Sequence, residues 1–350
     1  MPIFTRKIAI LLFGFFLLEC ASCSNAELLA GDRPKHHTKQ GFKNYPLIEP
    51  ADTQGFKLFW DKIFSSSKTD QIPPEHLMDA KKAVDLFKGL ENEDTITWIG
   101  QSTTLLKIDG KVIVTDPFFS ERAGPGYFGP SRSVPPGISP NNLPTVDIIV
   151  ISHNHYDHLD VDFVESLAGR KDIEVVVPLG IGAFFRDRDY VKIHEIDWHQ
   201  TVTLKGLKFT AHPMVHYSRR GLFDKNKTLW CSWSILAPQK KIFFAGDTAF
   251  SPTIFKDIGA AGGFDYVLLP IGTYGNRKYG FNNHMNPMEA FQAGLDLKAQ
   301  TMIAIHWGTI NLSGEPLFEP AELFNKVAAA KKFDPLRLWI MKIGETRTLE

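Results

Sequence analysis

Nine residues, Ser152-His153-Asn154-His155-Tyr156-Asp157-His158-Leu159-Asp160, limit what this chain can become more than any other stretch. They follow Val146-Asp147-Ile148-Ile149-Val150-Ile151, a β-branched apolar run that reads as a buried strand. The nine therefore begin where a strand stops and end where a helix can start. Three imidazoles and a carboxylate fall within six positions, and an apolar core has no use for such a group. His153 and His155 are two apart, so from a loop leaving a strand both rings can face one centre. Asp157 and His158 follow at a spacing suited to a second centre beside the first. Neutral imidazole and carboxylate are the usual ligands of zinc and similar divalent ions.

The rest of the chain places further candidates at strand ends. Residues 95–99 and 104–108 read as strands, and Asp109-Gly110 is a two-residue turn that joins the second to a strand over 111–115. Residues 118–144 are rich in Gly, Pro and Ser without a period, an irregular loop of functional length. A helix is expected over 162–167 and a strand over 173–177. Residues 202–209, 229–236, 241–245, 266–269 and 302–305 read as strands. A helix starts after Asn286 as N-cap, with Pro287 at its first position and Glu289 behind it, and runs to about residue 297. Strands interrupted by helices indicate an α/β layered fold. His216, Asp247 and His306 each lie at or just beyond a strand end, where polar groups can converge on the rim of a sheet. On this reading His153, His155 and His216 could hold one ion. Asp157, His158 and His306 could hold another, with Asp247 bridging.

The stretch 152–160 resembles the His-x-His-x-Asp-His signature of the metallo-β-lactamase superfamily. The chain is similar in particular to the N-acylphosphatidylethanolamine-hydrolysing phospholipase D family and its bacterial relatives. Supporting pieces are Thr115-Asp116-Pro117, Leu229-Trp230-Cys231-Ser232-Trp233-Ser234, Phe243-Phe244-Ala245-Gly246-Asp247-Thr248, Pro270-Ile271-Gly272, His284-Met285-Asn286-Pro287 and Ala304-Ile305-His306-Trp307-Gly308-Thr309. The resemblance implies an αββα sandwich with two divalent ions at its edge, zinc being the expected metal. It also implies Asp157 and His284 as catalytic side chains. His284 would line the site and either stabilise an oxyanion or protonate the leaving alcohol. The activity implied is a phosphodiesterase that cleaves N-acyl phosphatidylethanolamine-type phospholipids to phosphatidate and an N-acylethanolamine. A lactone or amide hydrolase of the same superfamily is the alternative enzyme, and a metal-dependent binding lipoprotein without turnover is the alternative outside enzymes. Two departures stand out. Gln101 occupies a position where the family commonly has His, and Asn286 and Met288 stand where the phospholipase frequently has acidic residues.

The N-terminus reads as an address. Arg6 and Lys7 precede an apolar stretch over 8–18 that is short for a membrane span. Ala21-Ser22-Cys23 then resembles the lipobox of bacterial lipoproteins, with Cys20 where an aliphatic residue is usual; simple signal cleavage without lipid is the alternative. The expected organisation is a signal peptide over 1–22, a tether over 23–50 and the hydrolase domain over 51–350. The expected location is the membrane of an exporting bacterium, anchored through Cys23. His36 and His37 form a lone pair with no acidic or thiol companion and are expected to be solvated rather than metal-binding, and the aromatic cluster over 56–64 either packs or meets lipid. Of the cysteines, Cys231 in an apolar strand-like run reads as a core residue. The 39 basic and 39 acidic residues cancel, so no nucleic-acid partner is expected. The expected partner is an N-acylated phospholipid or another small ester; oligomeric state is not readable from the sequence.

Overall fold

The period of two in the apolar strands divides their side chains between two cores. In Lys111–Thr115, Ile148–Val150 and Glu174–Pro178, the side chains of Ile113, Ile148, Val150 and Val176 join one apolar cluster, while Val112, Val114, Ile149, Val175 and Val177 join another. A strand covered on both faces needs apolar residues at consecutive positions, so these segments read as unbroken hydrophobic runs. The computed structural model describes residues 33–46, 71–126, 128–275, 277 and 282–350, and residues 36–350 form one compact unit. The signal peptide, the lipobox and the aromatic cluster over 56–64 lie outside the described residues.

Among the described residues two seven-stranded sheets are formed. In chain order the strands are β1 (Thr95–Gly100), β2 (Thr103–Ile108), β3 (Lys111–Thr115), β4 (Ile148–Val150), β5 (Glu174–Pro178), β6 (Lys192–Ile196), β7 (Thr201–Leu204), β8 (Leu207–His212), β9 (Ser232–Leu236), β10 (Lys241–Phe244), β11 (Phe264–Pro270), β12 (Ala299–Ile305), β13 (Leu338–Trp339) and β14 (Thr346–Thr348). The first sheet runs β14-β1-β2-β3-β4-β5-β6 and the second β13-β12-β11-β10-β9-β8-β7. The larger core joins Ile96, Trp98 and Leu106 of the first sheet to Phe209, Trp233 and Ile235 of the second. The helices are α1 (Ala80–Gly89), α2 (Val161–Ser166), α3 (Gly182–Arg186), α4 (Pro252–Ala260), α5 (Pro287–Asp296) and α6 (Glu319–Ala330). Phe87 of α1, Phe163 of α2 and Phe185 of α3 cover the outer face of the first sheet. Helix α5 packs on β11 and β12 and is flanked by α4 and α6. The four layers are the αββα sandwich expected from the sequence.

Local chemistry sets two turns. Asp109 and Gly110 take φ values of 50° and 69°, and Ile108 pairs with Lys111, the geometry a two-residue hairpin turn requires. Residues 202–209, expected as one strand, are two. Lys205 and Gly206 turn the chain with φ values of 49° and 88°, and Leu204 pairs with Leu207. The apolar alternation slips by one residue at this turn: Val202 and Leu204 keep one phase, Leu207 and Phe209 the other, and pairing across the hairpin puts Leu204 opposite Leu207. Strands β3 to β6 are mutually parallel, as are β10 to β12, and polar groups beyond their carboxyl ends gather at one rim.

Candidate metal centre

Asp116, one residue past β3, organises the stretch 152–160. Its Oδ1 accepts from the Ser152 amide at 2.6 Å, and its Oδ2 accepts from Ser152 Oγ at 2.5 Å and from His158 Nδ1 at 2.7 Å. Having given its proton to Asp116, Ser152 Oγ accepts from His153 Nδ1 at 2.9 Å. His216 Nδ1 donates to the Asn283 carbonyl at 3.0 Å. Carbonyl and carboxylate oxygens only accept, so in His153, His158 and His216 the proton sits on Nδ1 and the Nε2 lone pair is left for a ligand.

All seven residues expected as metal ligands come together in two groups, His153/His155/His216 and Asp157/His158/Asp247/His306. In the first, His155 Nδ1 lies 2.8 Å from His153 Nε2 and 3.3 Å from His216 Nε2. In the second, Asp247 Oδ2 is 3.0 Å from His158 Nε2 and 3.1 Å from His306 Nε2, and Asp157 Oδ2 is 3.4 Å from both rings. A divalent ion held tetrahedrally at about 2.0–2.1 Å spaces its ligands roughly 3.3–3.4 Å apart, so the second group already has the size of such a shell. Among the described residues, His158 Nε2, Asp247 Oδ1 and His284 Nδ1 are buried without a hydrogen-bond partner. Buried polar atoms left this way ask for an explanation, and a cation between His158 and Asp247 supplies one for those two. Asp247 reaches toward both groups, its Oδ2 lying 4.0 Å from His216 Nε2. The donor set fits a pair of ions.

Charge separates the two groups. Burial opposes the cationic form of His306, but Asp247 and Asp157 outweigh it and raise the ring to about 9. The same contest lifts His158 well above the ordinary imidazole range. In the all-imidazole group, burial and the neighbouring rings hold His153 and His155 well below that range, and burial brings His216 down to about 4. The first group is thus neutral and ready to coordinate, while the carboxylate-bearing group draws positive charge, which the Nε2 atoms of His158 and His306 take up as a proton or yield to a cation.

Several neighbours are legible only in three dimensions. Gln101, in the family's common His position, donates from Nε2 to Asp157 Oδ2 at 2.9 Å and stands 2.8 Å from His306 Nε2. Gln101, Asp116, Thr273 and His306 all have positive φ, a concentration of backbone strain typical of functional sites. Arg220 donates to the carbonyls of Asn154 at 3.0 Å and Leu159 at 2.7 Å, with its guanidinium 3.9 Å over the Tyr156 ring. It clamps the backbone that carries the ligands. Asp116 had a weak sequence signal, a lone carboxylate ending an apolar strand before Pro117, whereas Arg220 had none.

His284 is buried beside the two groups, its Nδ1 3.7 Å from Asp247 Oδ2 and its ring 5.2 Å from that of His216. Asn286 accepts from the Glu289 amide while Glu289 accepts from the Asn286 amide, so it is engaged in capping α5; Met288 is exposed. Cys231 is fully buried, as a core residue is. One expectation is corrected. His36 is buried and His37 half-buried, because both rings meet the buried carboxylate of Asp197, at 2.6 Å and 2.7 Å. That partner lies far along the chain, so local composition gave no hint of it. The segment 36–46, expected within a tether, packs on the fold through these contacts.

Residues 111–307 match the beta-lactamase superfamily domain. An uncharacterized protein of Mycobacterium bovis is 40% identical over 76% of this chain and 71% of its own length. N-acyl-phosphatidylethanolamine-hydrolyzing phospholipase D 1 of Caenorhabditis elegans is 33% identical over 67% of this chain and 70% of its own. Among solved structures, isothiocyanate hydrolase from Delia radicum gut bacteria superposes with a TM-score of 0.58 at 20% identity, covering 73% of this chain and 98% of that one, a likeness of fold.

Proposed function

The chain belongs to the beta-lactamase superfamily of metal-dependent hydrolases, and from that premise we propose that it is a binuclear zinc phosphodiesterase acting on N-acyl phosphatidylethanolamine-type phospholipids. The observation that carries the reading is the joint one of two ligand groups with Asp247 between them and 33% identity to a phospholipase D of that specificity. Two divalent ions bound at these seven side chains supply an acidified water and positive charge for the oxygens that become anionic. The chain's own side chains do the rest. Asp116, Ser152 and the Asn283 carbonyl hold three imidazoles in the ligating tautomer. Asp157 is held by Gln101, and burial of the rings keeps bulk water from competing. His284 points an unpartnered nitrogen at the same space. Burial holds its ring well below the ordinary range against the pull of Asp247, so it is neutral and suited to donating a hydrogen bond to a developing oxyanion.

The test is product identity. Zinc-loaded protein incubated with N-acyl phosphatidylethanolamine vesicles is expected to release phosphatidate and N-acylethanolamine in equal amounts, followed by mass spectrometry. Turnover confined to lactones or amides would replace the phosphodiesterase reading, and two bound ions without turnover on any ester would favour a binding protein.

In the same reading the enzyme is an exported lipoprotein held at the membrane by lipid on Cys23, which keeps it beside a bilayer substrate. Cys23→Ser is expected to shift the protein from the membrane to the soluble fraction or to stall its processing. Normal processing with unchanged membrane retention would reject the anchor.

A further inference from the structure

The segment 36–46 does more than lead into the fold. Its two ends are tied to different places. At one end His36 Nε2 and His37 Nε2 each take one oxygen of Asp197, at 2.6 Å and 2.7 Å, and the His36 ring stacks on Trp198 with centroids 4.1 Å apart. Between the ends a tight turn returns the chain, with the Lys43 amide donating to the His36 carbonyl at 2.9 Å. The Phe42 amide donates to the Asn226 carbonyl at 2.8 Å. At Gly41 the backbone has φ 146°, and a Cβ there would sit 2.0 Å from that carbonyl oxygen, so the close approach needs glycine. At the other end Asn44 is buried, and its Oδ1 accepts from the His216 amide and from Trp230 Nε1, both at 3.1 Å.

His216 is therefore held from two sides. Its ring is fixed by the Asn283 carbonyl, and its backbone by Asn44, with the Val215 amide bound to Thr248 Oγ1 at 3.0 Å beside it. Trp230 has a second acceptor in the Met214 carbonyl at 3.1 Å, so loss of the Asn44 side chain costs the His216 amide most. We propose that residues 36–46 are a strap that positions His216 for metal binding, with Asn44 as the positioning residue and the His36–Asp197–His37 clasp as its anchor. The inference rests on the reading of His216 as a metal ligand. Each Asp197 oxygen meets its own imidazole at hydrogen-bond length, and Oδ1 also accepts from the Trp198 amide at 2.7 Å. Three donors thus converge on the Asp197 carboxylate, and we assign the cluster as a clasp.

The test is competitive chelator titration of full-length protein with zinc, which needs no substrate. Wild type should bind two ions. Asn44→Ala should bind one of them about 10–100-fold more weakly, the usual effect of losing an outer partner of a metal ligand, with the other unchanged. Asn44→Asp keeps the acceptor oxygen and should restore the affinity. The double variant His36→Ala/His37→Ala leaves Asn44 in place and should reproduce the loss. Added to Asn44→Ala it should weaken binding no further, because groups acting as one unit are not additive. If Asn44→Ala fails to fold, the double variant carries the same test. Unchanged zinc affinity in Asn44→Ala and in the double variant, or losses that multiply, would overturn the strap while leaving the metal centre standing. A third zinc equivalent lost with His36 and His37 would overturn the clasp. Wild type that binds no ion would overturn the metal centre and the strap together.

Discussion

Asp247→Ala is expected to leave a folded protein that keeps at most one ion and works about a thousand-fold more slowly or worse, the several kcal/mol that metal charge contributes to such reactions. The reason is position. Asp247 Oδ2 lies 3.0–3.1 Å from His158 and His306 and 4.0 Å from His216, so one carboxylate serves both ligand groups. Asp157 and His306 belong to one group only, so Asp157→Ala and His306→Ala should each cost one ion. Metal analysis of the three purified variants separates these outcomes. Two ions retained in Asp247→Ala would remove it from the site. The fold should survive, because the sandwich is closed by apolar residues of both sheets and the site sits at its rim. Circular dichroism of the metal-free variants checks this.

His284→Ala should behave differently. Metal content is expected to stay at two, because the seven ligand candidates are elsewhere, while kcat and kcat/KM fall together by on the order of a hundred-fold. A group that binds only as charge develops has this signature. Because burial keeps the ring neutral, its N–H donates a hydrogen bond more readily than a proton. The loss should therefore be similar for a natural alcohol leaving group and for nitrophenolate, which needs no proton. A much larger loss on the alcohol would assign proton delivery instead. Loss of an ion would make His284 a ligand.

The sequence by itself determined the features whose physics is local. The β-branched apolar run over 146–151 announced a buried strand, Asp109-Gly110 announced a hairpin, and Asn286-Pro287 with Glu289 announced the start of α5. The ligand stretch was equally plain, because imidazoles and a carboxylate at strand-exit spacing leave few other uses, and the three later ligand candidates each stood at or just beyond a strand end. The Lys205-Gly206 turn was missed because both flanks alternate as strands do, and the one-residue slip between Leu204 and Leu207 is the only mark it leaves on the pattern. Tertiary structure alone decided what holds the ligands: Gln101 on Asp157, Arg220 on the loop carbonyls, and Asn44 under His216. Asn44 is 172 residues from His216 and His36 is 161 from Asp197. An Asn, an Arg or a His pair in a polar stretch looks like solvated surface until the chain closes. Its worth comes from a buried donor or acceptor that would otherwise go unpaired, and that partner exists only after two distant segments have packed together.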